Sequence, residues 1–297
     1  MTPITRFLAA TLVLLGLCAP VRAASDTAVL ATYAYARYDR AAALAPLAAQ
    51  LQRRLGKPVI VRVLESPRAL AAALRDGSVD MAVTNTFVYL AVRDDPAVRA
   101  LAAFAVPAAT LDTYRGVLLA RAGTVADVAS LRTAAPQLRY AQVIPGSTSG
   151  GLVQDLHLAA HGVDSTRFVA TRNAGTHDAA LAAMQDGSAD IAALADAPWQ
   201  AAKAGGNVAG IVELWRSPPI PPGPVVCRDG GRLDCARATA VLEALHTQAP
   251  DALAALVGAW SEAKGAQRMG AVDDAAYDAL LDGPDARALK AVLERAL

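Results

Sequence analysis

Ala73-Leu74-Arg75-Asp76-Gly77-Ser78-Val79-Asp80-Met81-Ala82 returns 110 residues later as Ala183-Met184-Gln185-Asp186-Gly187-Ser188-Ala189-Asp190-Ile191-Ala192. Each copy reads as the end of an amphipathic helix, a glycine stop, a short polar turn and a buried strand. Two copies are too few for a solenoid, so the echo predicts two α/β lobes of similar plan. The flanking sequence agrees. Ala28–Thr32, Val59–Leu64 and Met81–Thr84 read as strands. Ala41–Leu55, stopped by Gly56, and Ser66–Arg75 read as the helices between them. This βαβα rhythm implies strands that run parallel and are covered by helices.

The chain has 297 residues, 54% of them hydrophobic, enough for one large or two medium domains. Arg6, the apolar run Phe7–Ala19 and Val21-Arg22-Ala23 form a signal peptide, with cleavage expected after Ala23. Leu17 stands where a lipobox needs a small residue, so lipidation of Cys18 is not expected. No later segment is long and apolar enough to cross a bilayer. A periplasmic location follows. Cleavage removes Arg6 and Arg22 and no acid, taking the formal charge from +1 to −1. That balance argues against a nucleic-acid partner, which needs a basic face. In an oxidising compartment Cys227 and Cys235 are expected to pair; the alternative, a two-cysteine metal site, has no histidine nearby.

Ligands of such sheets lie past the carboxyl ends of the strands. Polar residues collect there: Tyr33, Tyr35 and Tyr38 after the first strand, Thr84-Asn85-Thr86 and then Tyr89 after the third. In the second lobe the same places hold Gly146-Ser147-Thr148-Ser149-Gly150, then Gly175-Thr176-His177-Asp178, then Asp196. The Gly146–Gly150 run sits between an apolar segment, Tyr140–Pro145, and a helical one, Leu152–His161. Hydroxyls at a helix start cap its free amides, and those amides attract anions. From the loop alone, an anion nest and an ordinary capped turn are both open. It is not a nucleotide P-loop, which requires a lysine, and no cofactor is expected. A neutral His177 fits a helix start better than a protonated one. Asp196 reads as a cap for a helix beginning near Pro198. His157 and His161 have metal-ligand spacing but no glutamate between them, so they read as a solvated face and no metal site is expected. Trp199, Trp215 and Trp260 read as packing residues.

Pro145-Gly-Ser-Thr-Ser-Gly150 resembles the Ser-x-Ser-Gly loop of the periplasmic phosphate/phosphonate/phosphite-binding proteins of ABC transporters. Gly175-Thr-His-Asp-Ala179 and Gly187-Ser-Ala-Asp190 are similar to that family's Gly-Ser-His-Asp-Ala and Gly-x-x-Asp segments. Ser217-Pro-Pro-Ile-Pro-Pro222 resembles its Ser-x-x-Ile-Pro return. The resemblance implies a two-lobed periplasmic-binding-protein-like α/β fold. Each lobe would be a mixed, mostly parallel sheet flanked by helices. Residues 24–116 and 215–297 would form lobe I and 117–214 lobe II, with crossing strands near Tyr114–Ala120 and Ile211–Ser217 as the hinge. It further implies a monomeric solute-binding protein that closes on a small phosphorus oxyanion and serves an ABC-transporter membrane permease. Ser147, Thr148, Ser149 and His177 would hold the ligand from lobe II, and Tyr35, Asn85, Thr86 and Tyr89 from lobe I. Thr176 replaces the family's serine but keeps the hydroxyl.

Two rivals keep the fold: a receptor for another small anion such as a carboxylate, and a periplasmic sensor module. A hydrolase built on Ser147 or Ser149, His177 and an aspartate is the rival from another class. Thr148 at the centre breaks the Gly-x-Ser-x-Gly elbow, and three adjacent hydroxyls suit several weak contacts better than one nucleophile, so no enzyme is expected.

Overall fold

The computed structural model describes residues 26–282 and 286–296; the expected signal peptide, with Cys18, lies outside them. Strands β1 (Ala28–Tyr33), β2 (Val59–Leu64), β3 (Met81–Val83) and β4 (Val98–Phe104) come first along the chain. They are followed by β5 (Gly116–Arg121), β6 (Arg139–Gln142), β7 (Ala170–Asn173), β8 (Ile191–Ala195) and β9 (Ile211–Arg216). Last come β10 (Val225–Arg228) and β11 (Met269–Gly270). Two sheets form, in the orders β11-β4-β10-β3-β1-β2 and β7-β6-β8-β5-β9.

Both sheets are mixed. The βαβ units β1–β2 and β1–β3 pair parallel, as do β6–β7 and β6–β8. The parallel share is smaller than the βαβα rhythm suggests, because the chain re-enters each sheet from outside. β10 returns antiparallel to β3 and β4, while β5 and β9 run antiparallel in the second sheet. The crossing segments are tied where they pass between the sheets: Gly116 N donates to Ser217 Oγ at 2.9 Å and Ser217 N to Gly116 O at 2.8 Å.

Successive strand residues point to opposite faces, and in the central strands β1 and β5 both faces are covered. Ala28 and Leu30 pack with Leu44, Leu47 and Leu51 of the helix Arg40–Leu55, and Val29 and Ala31 with Leu70 and Leu74 of the helix Pro67–Arg75. In β5, Val117 and Leu119 face one core and Leu118 and Ala120 another. The apolar contact also bridges the sheets: Leu152 and Leu156 join the cluster of Phe87, Tyr277 and Val292.

The echo is three-dimensional. Gly77 and Gly187 both adopt left-handed backbone, at φ 75° and 74°. Ser78 N donates to Asp76 and Ser188 N to Asp186, each at 2.8 Å. Ser66 and Thr176, again 110 apart, cap the two helices through Ala69 N and Ala179 N. Asp80 accepts from Val29 N and Arg232, and Asp190 from Arg139 N and its guanidinium. Asp80's side chain is 2% exposed and Asp190's 17%. Removing one partner of a buried pair strands the other, at a cost of about 3–5 kcal/mol when burial is complete. Asp80→Ala is therefore expected to lower the urea-unfolding free energy by about 3 kcal/mol or more, and Asp190→Ala by distinctly less. Equal losses would show that burial does not set the difference.

Cys227 on β10 and Cys235 at the start of the helix Cys235–Glu243 form the expected disulfide, with Cα atoms 5.8 Å apart. The bridge closes a short loop at the end of β10 that lies beside Met81, the first residue of β3.

Candidate functional site

The shared plan turns the carboxyl ends of β1 and β3 toward those of β6 and β8. Between them lies a cavity of about 30 Å³, lined by Tyr33, Tyr35, Arg40 and Asn85 from one side and Ser147, Thr148, Ser149 and His177 from the other, with Tyr114, Ser261 and Glu262 at its edge. A wider cavity of about 540 Å³ shares Tyr35, Tyr114, His177, Ser261 and Glu262 with it and extends past Arg115, Asp196 and Lys264.

The hydroxyl loop starts as a π-type turn, Thr148–Leu152, and continues as the expected helix, Val153–Ala160. Gly150 is demanded by close approach: a Cβ there would stand 2.3 Å from Val143 Cγ2 and 3.1 Å from His177 Cε1. Each hydroxyl oxygen already accepts a proton from the protein. Ser147 takes Gly150 N–H at 3.2 Å, Thr148 takes Phe87 N–H at 3.0 Å, and Ser149 takes the Tyr114 O–H at 3.3 Å. A hydroxyl that accepts in this way still has its own proton to give. All three side chains are buried, so those protons are directed to the cavity or left unmade, and an unmade buried bond is costly. Gln154, itself buried, fixes the loop by donating to Ser149 O, Val117 O and Leu194 O at 2.9, 3.0 and 3.3 Å.

His177 opens the helix His177–Gln185. Ala195 N–H donates to its Nδ1 at 2.9 Å, which places the neutral ring's proton on Nε2. Burial, and behind it the Arg37 charge, hold its pKa down at about 4. The folded chain thus resists a proton that the unfolded chain accepts near 6.5. The sign follows: this contribution is complete above about pH 6.5 and is lost as pH falls toward 4. His177→Gln is expected to remove about 1.4 kcal/mol per pH unit from the slope of stability in that window. Urea unfolding of both proteins at about pH 5 and about pH 7 measures it; parallel slopes would contradict it.

From the first lobe, Tyr35 is half-buried with its ring 6.4 Å from His177, and burial lifts its phenol to about 12. Asn85 caps the helix Thr86–Val92 through Val88 N and donates across the cleft to Gly146 O at 2.9 Å. Thr86 and Tyr89 are not brought to the cavity. The proline-rich return leaves buried carbonyls with no sheet partner, and Thr86 Oγ1 donates to Pro221 O at 2.5 Å, as Tyr277 does to Pro222 O at 2.6 Å. Tyr89 stacks edge-on against Tyr277 and donates to Asp274 at 2.6 Å.

Two other expectations are corrected. Asp196 is not the cap: Ala195 is, and Asp196 is the first residue of the helix Asp196–Ala204, paired with Arg216 and accepting from Gln200. His157 is no solvated face, since its ring stacks on Trp215 at 4.1 Å, beside His161. Trp260 packs in the core as expected and also holds Arg40, whose guanidinium lies 4.6 Å from its ring centre and 4.2 Å from that of Tyr33. Arg40 and Glu262 are the charged groups of the inner cavity, and no motif announced either.

The family described as ABC transporter, phosphonate, periplasmic substrate-binding protein matches residues 29–281. No curated protein matches the chain. Among solved structures, a binding-protein component of an ABC phosphonate transporter from Pseudomonas aeruginosa is 19% identical, with TM-score 0.60 over 91% of this chain and 94% of that one. PhnD1 of Prochlorococcus marinus, in complex with methylphosphonate, is 15% identical, with TM-score 0.59 over 86% and 96%. A Xanthomonas citri protein bound to ATP is 18% identical, with TM-score 0.67 over 92% and 98%. At these identities the likeness is one of fold.

Proposed function

Because this chain belongs to the phosphonate periplasmic substrate-binding protein family of ABC transporters, we propose that it reversibly captures a small phosphorus oxyanion between its lobes and delivers it to a membrane permease. On this reading the described residues of 24–116 and 215–297 form lobe I and residues 117–214 lobe II, and the lobes close about the segments tied at Gly116 and Ser217. The phosphoryl head is held by Ser147, Thr148, Ser149 and His177 Nε2–H from lobe II and lies against Tyr35 and Asn85 of lobe I. The observation that carries this reading is the set of directed donors around one cavity of about 30 Å³. Donors preorganised in a desolvated pocket make strong bonds to an anion without a net positive charge.

The tautomer of His177 favours binding over catalysis. A serine's general base needs a free Nε2 lone pair, and here Ala195 N–H occupies Nδ1 and leaves the proton on Nε2. Calorimetric titration of the mature protein against phosphate, phosphite, methylphosphonate and aminoethylphosphonate tests the proposal. Binding of at least one below millimolar supports it; binding of none, or steady turnover of a phosphate ester abolished by His177→Ala, overturns it.

A further inference from the structure

The inner cavity holds one feature that an anion site does not need. Glu262 is 7% exposed and lines both cavities, and Ser261 Oγ donates to its Oε2 at 3.2 Å. A carboxylate beside a bound anion is repulsive, and more so where water is excluded. Arg40 offsets it. The guanidinium is buried between Tyr33 and Trp260, donates to Tyr33 O and Ala259 O at 3.3 and 3.4 Å, and is coupled electrostatically to Glu262. One positive and one negative charge leave the pocket with no net charge of its own, because His177 is neutral and the remaining lining groups are hydroxyls, phenols, an amide and the aliphatic Ile144.

Glu262 and the three hydroxyls line the same cavity of about 30 Å³, so a tetrahedral head held by the hydroxyls brings an oxygen to the carboxylate. An ionised ligand oxygen there would meet the carboxylate with no proton between them. A ligand oxygen that still carries its proton would donate to the carboxylate in a short charge-assisted bond. Resting on the phosphorus reading above, we propose that Glu262 accepts a hydrogen bond from a P–O–H of the ligand, so that the pocket selects monoprotonated phosphorus oxyanions and rejects fully ionised ones, sulfonates included.

The groups facing Glu262 leave the pH window clear. His177 titrates near 4, the Tyr35 phenol near 12, the phenols of Tyr33 and Tyr114 above their ordinary value, and Arg40 stays charged. At the mouth stand Arg37, Arg115, Lys264, Asp178 and Asp196. The second ionisation of a phosphoryl ligand falls in the range from about pH 6 to pH 9.

Titration of the wild-type protein with methylphosphonate and methanesulfonate across this range is the test, with Glu262→Gln as the comparison. Wild-type affinity for methylphosphonate is expected to fall as pH rises past the ligand's second ionisation, approaching about tenfold per pH unit. Methanesulfonate should bind at least about a hundredfold more weakly than methylphosphonate, and Glu262→Gln should narrow that gap by about tenfold or more. A pH-independent affinity for methylphosphonate, or an unchanged ratio in a folded Glu262→Gln variant, overturns the proposal and leaves the phosphorus reading standing. So does a Glu262→Gln variant that weakens only aminoethylphosphonate, because Glu262 would then read an ammonium. Failure of every phosphorus oxyanion to bind overturns both. The wild-type pH profile decides the matter even if the variant does not fold.

Discussion

Ser147→Ala combined with Thr148→Ala is expected to weaken oxyanion binding by about a hundredfold to ten-thousandfold while the protein stays folded. Each lost hydroxyl removes one hydrogen bond to a charged group, worth about 1.5–3 kcal/mol in a desolvated pocket, so the pair removes about 3–6 kcal/mol. Thr148 adds a second loss. Its Oγ1 accepts Phe87 N–H from the opposite lobe, and alanine leaves that amide unpartnered whenever the lobes meet. Ser147→Ala also removes the cap on Gly150 N. That is a local loss of about 1 kcal/mol, borne by the free and bound protein alike. Thr148→Ser keeps the hydroxyl and is expected to bind within a few-fold of the parent. Ser130→Ala, whose hydroxyl is exposed and bonds only Asp127 in its own turn, should change nothing. Calorimetry with the best of the four phosphorus ligands, alongside far-UV circular dichroism, measures both quantities. A double variant that binds within threefold of the parent would remove the loop from the site.

The parts of this architecture that a linear reading finds are those fixed by local chemistry. The repeated helix-stop-turn-strand unit rests on a left-handed glycine, an aspartate that turns back on the serine two residues later, and a hydroxyl cap on the next helix. All of these act within a few residues, so their types and spacing are visible in the sequence. The hydroxyl loop and His177 belong to the same class, because each begins a helix after a strand. Arg40 and Glu262 were not visible, although they set the charge of the pocket. They lie 222 positions apart, and neither sits in a pattern. Only the packing of Tyr33 and Trp260 on the guanidinium brings them to one cavity. Thr86 and Tyr89 mark the opposite failure. A polar residue at a helix start is equally suited to a ligand and to a stranded carbonyl; for Thr86 the Pro221 acceptor of the proline-rich return was the stronger claim, and the Tyr89 phenol was taken by Asp274. His157 gave a similar false signal: its spacing from His161 is the same whether the face is bare or, as here, covered by Trp215.

Gly146→Val is expected to abolish tight binding by a different route, leaving every ligand-facing hydroxyl in place. Gly146 has φ +80°, and a Cβ at that position would stand 2.7 Å from Pro67 Cβ and 2.7 Å from Phe87 Cε1. Both neighbours belong to the opposite lobe. The substitution thus carries two separable costs. The left-handed backbone costs a side chain about 1–2 kcal/mol in every folded state, and a β-branched one the most. The overlap with Pro67 and Phe87 exists only while the lobes are together. The neighbouring Asn85 bond to Gly146 O, at 2.9 Å, holds the loop against any sideways escape. Overpacking of this kind costs about 1–3 kcal/mol per methyl-sized intrusion, and valine brings three such carbons. The cost falls on the closed form, so it divides the population competent to hold the ligand and lowers apparent affinity by the same factor, about a hundredfold or more. Phe87→Ala in the Gly146→Ala background relieves one of the two overlaps, so it should recover part of the affinity that Gly146→Ala alone loses. A hydroxyl-directed defect would show no such recovery. The decisive comparison is therefore between stability and affinity. Urea unfolding of ligand-free Gly146→Val should fall by no more than the backbone cost, while calorimetric affinity falls far more steeply. Proportionate losses in the two would mean that Gly146 serves only its own turn and that closure does not pass through this contact.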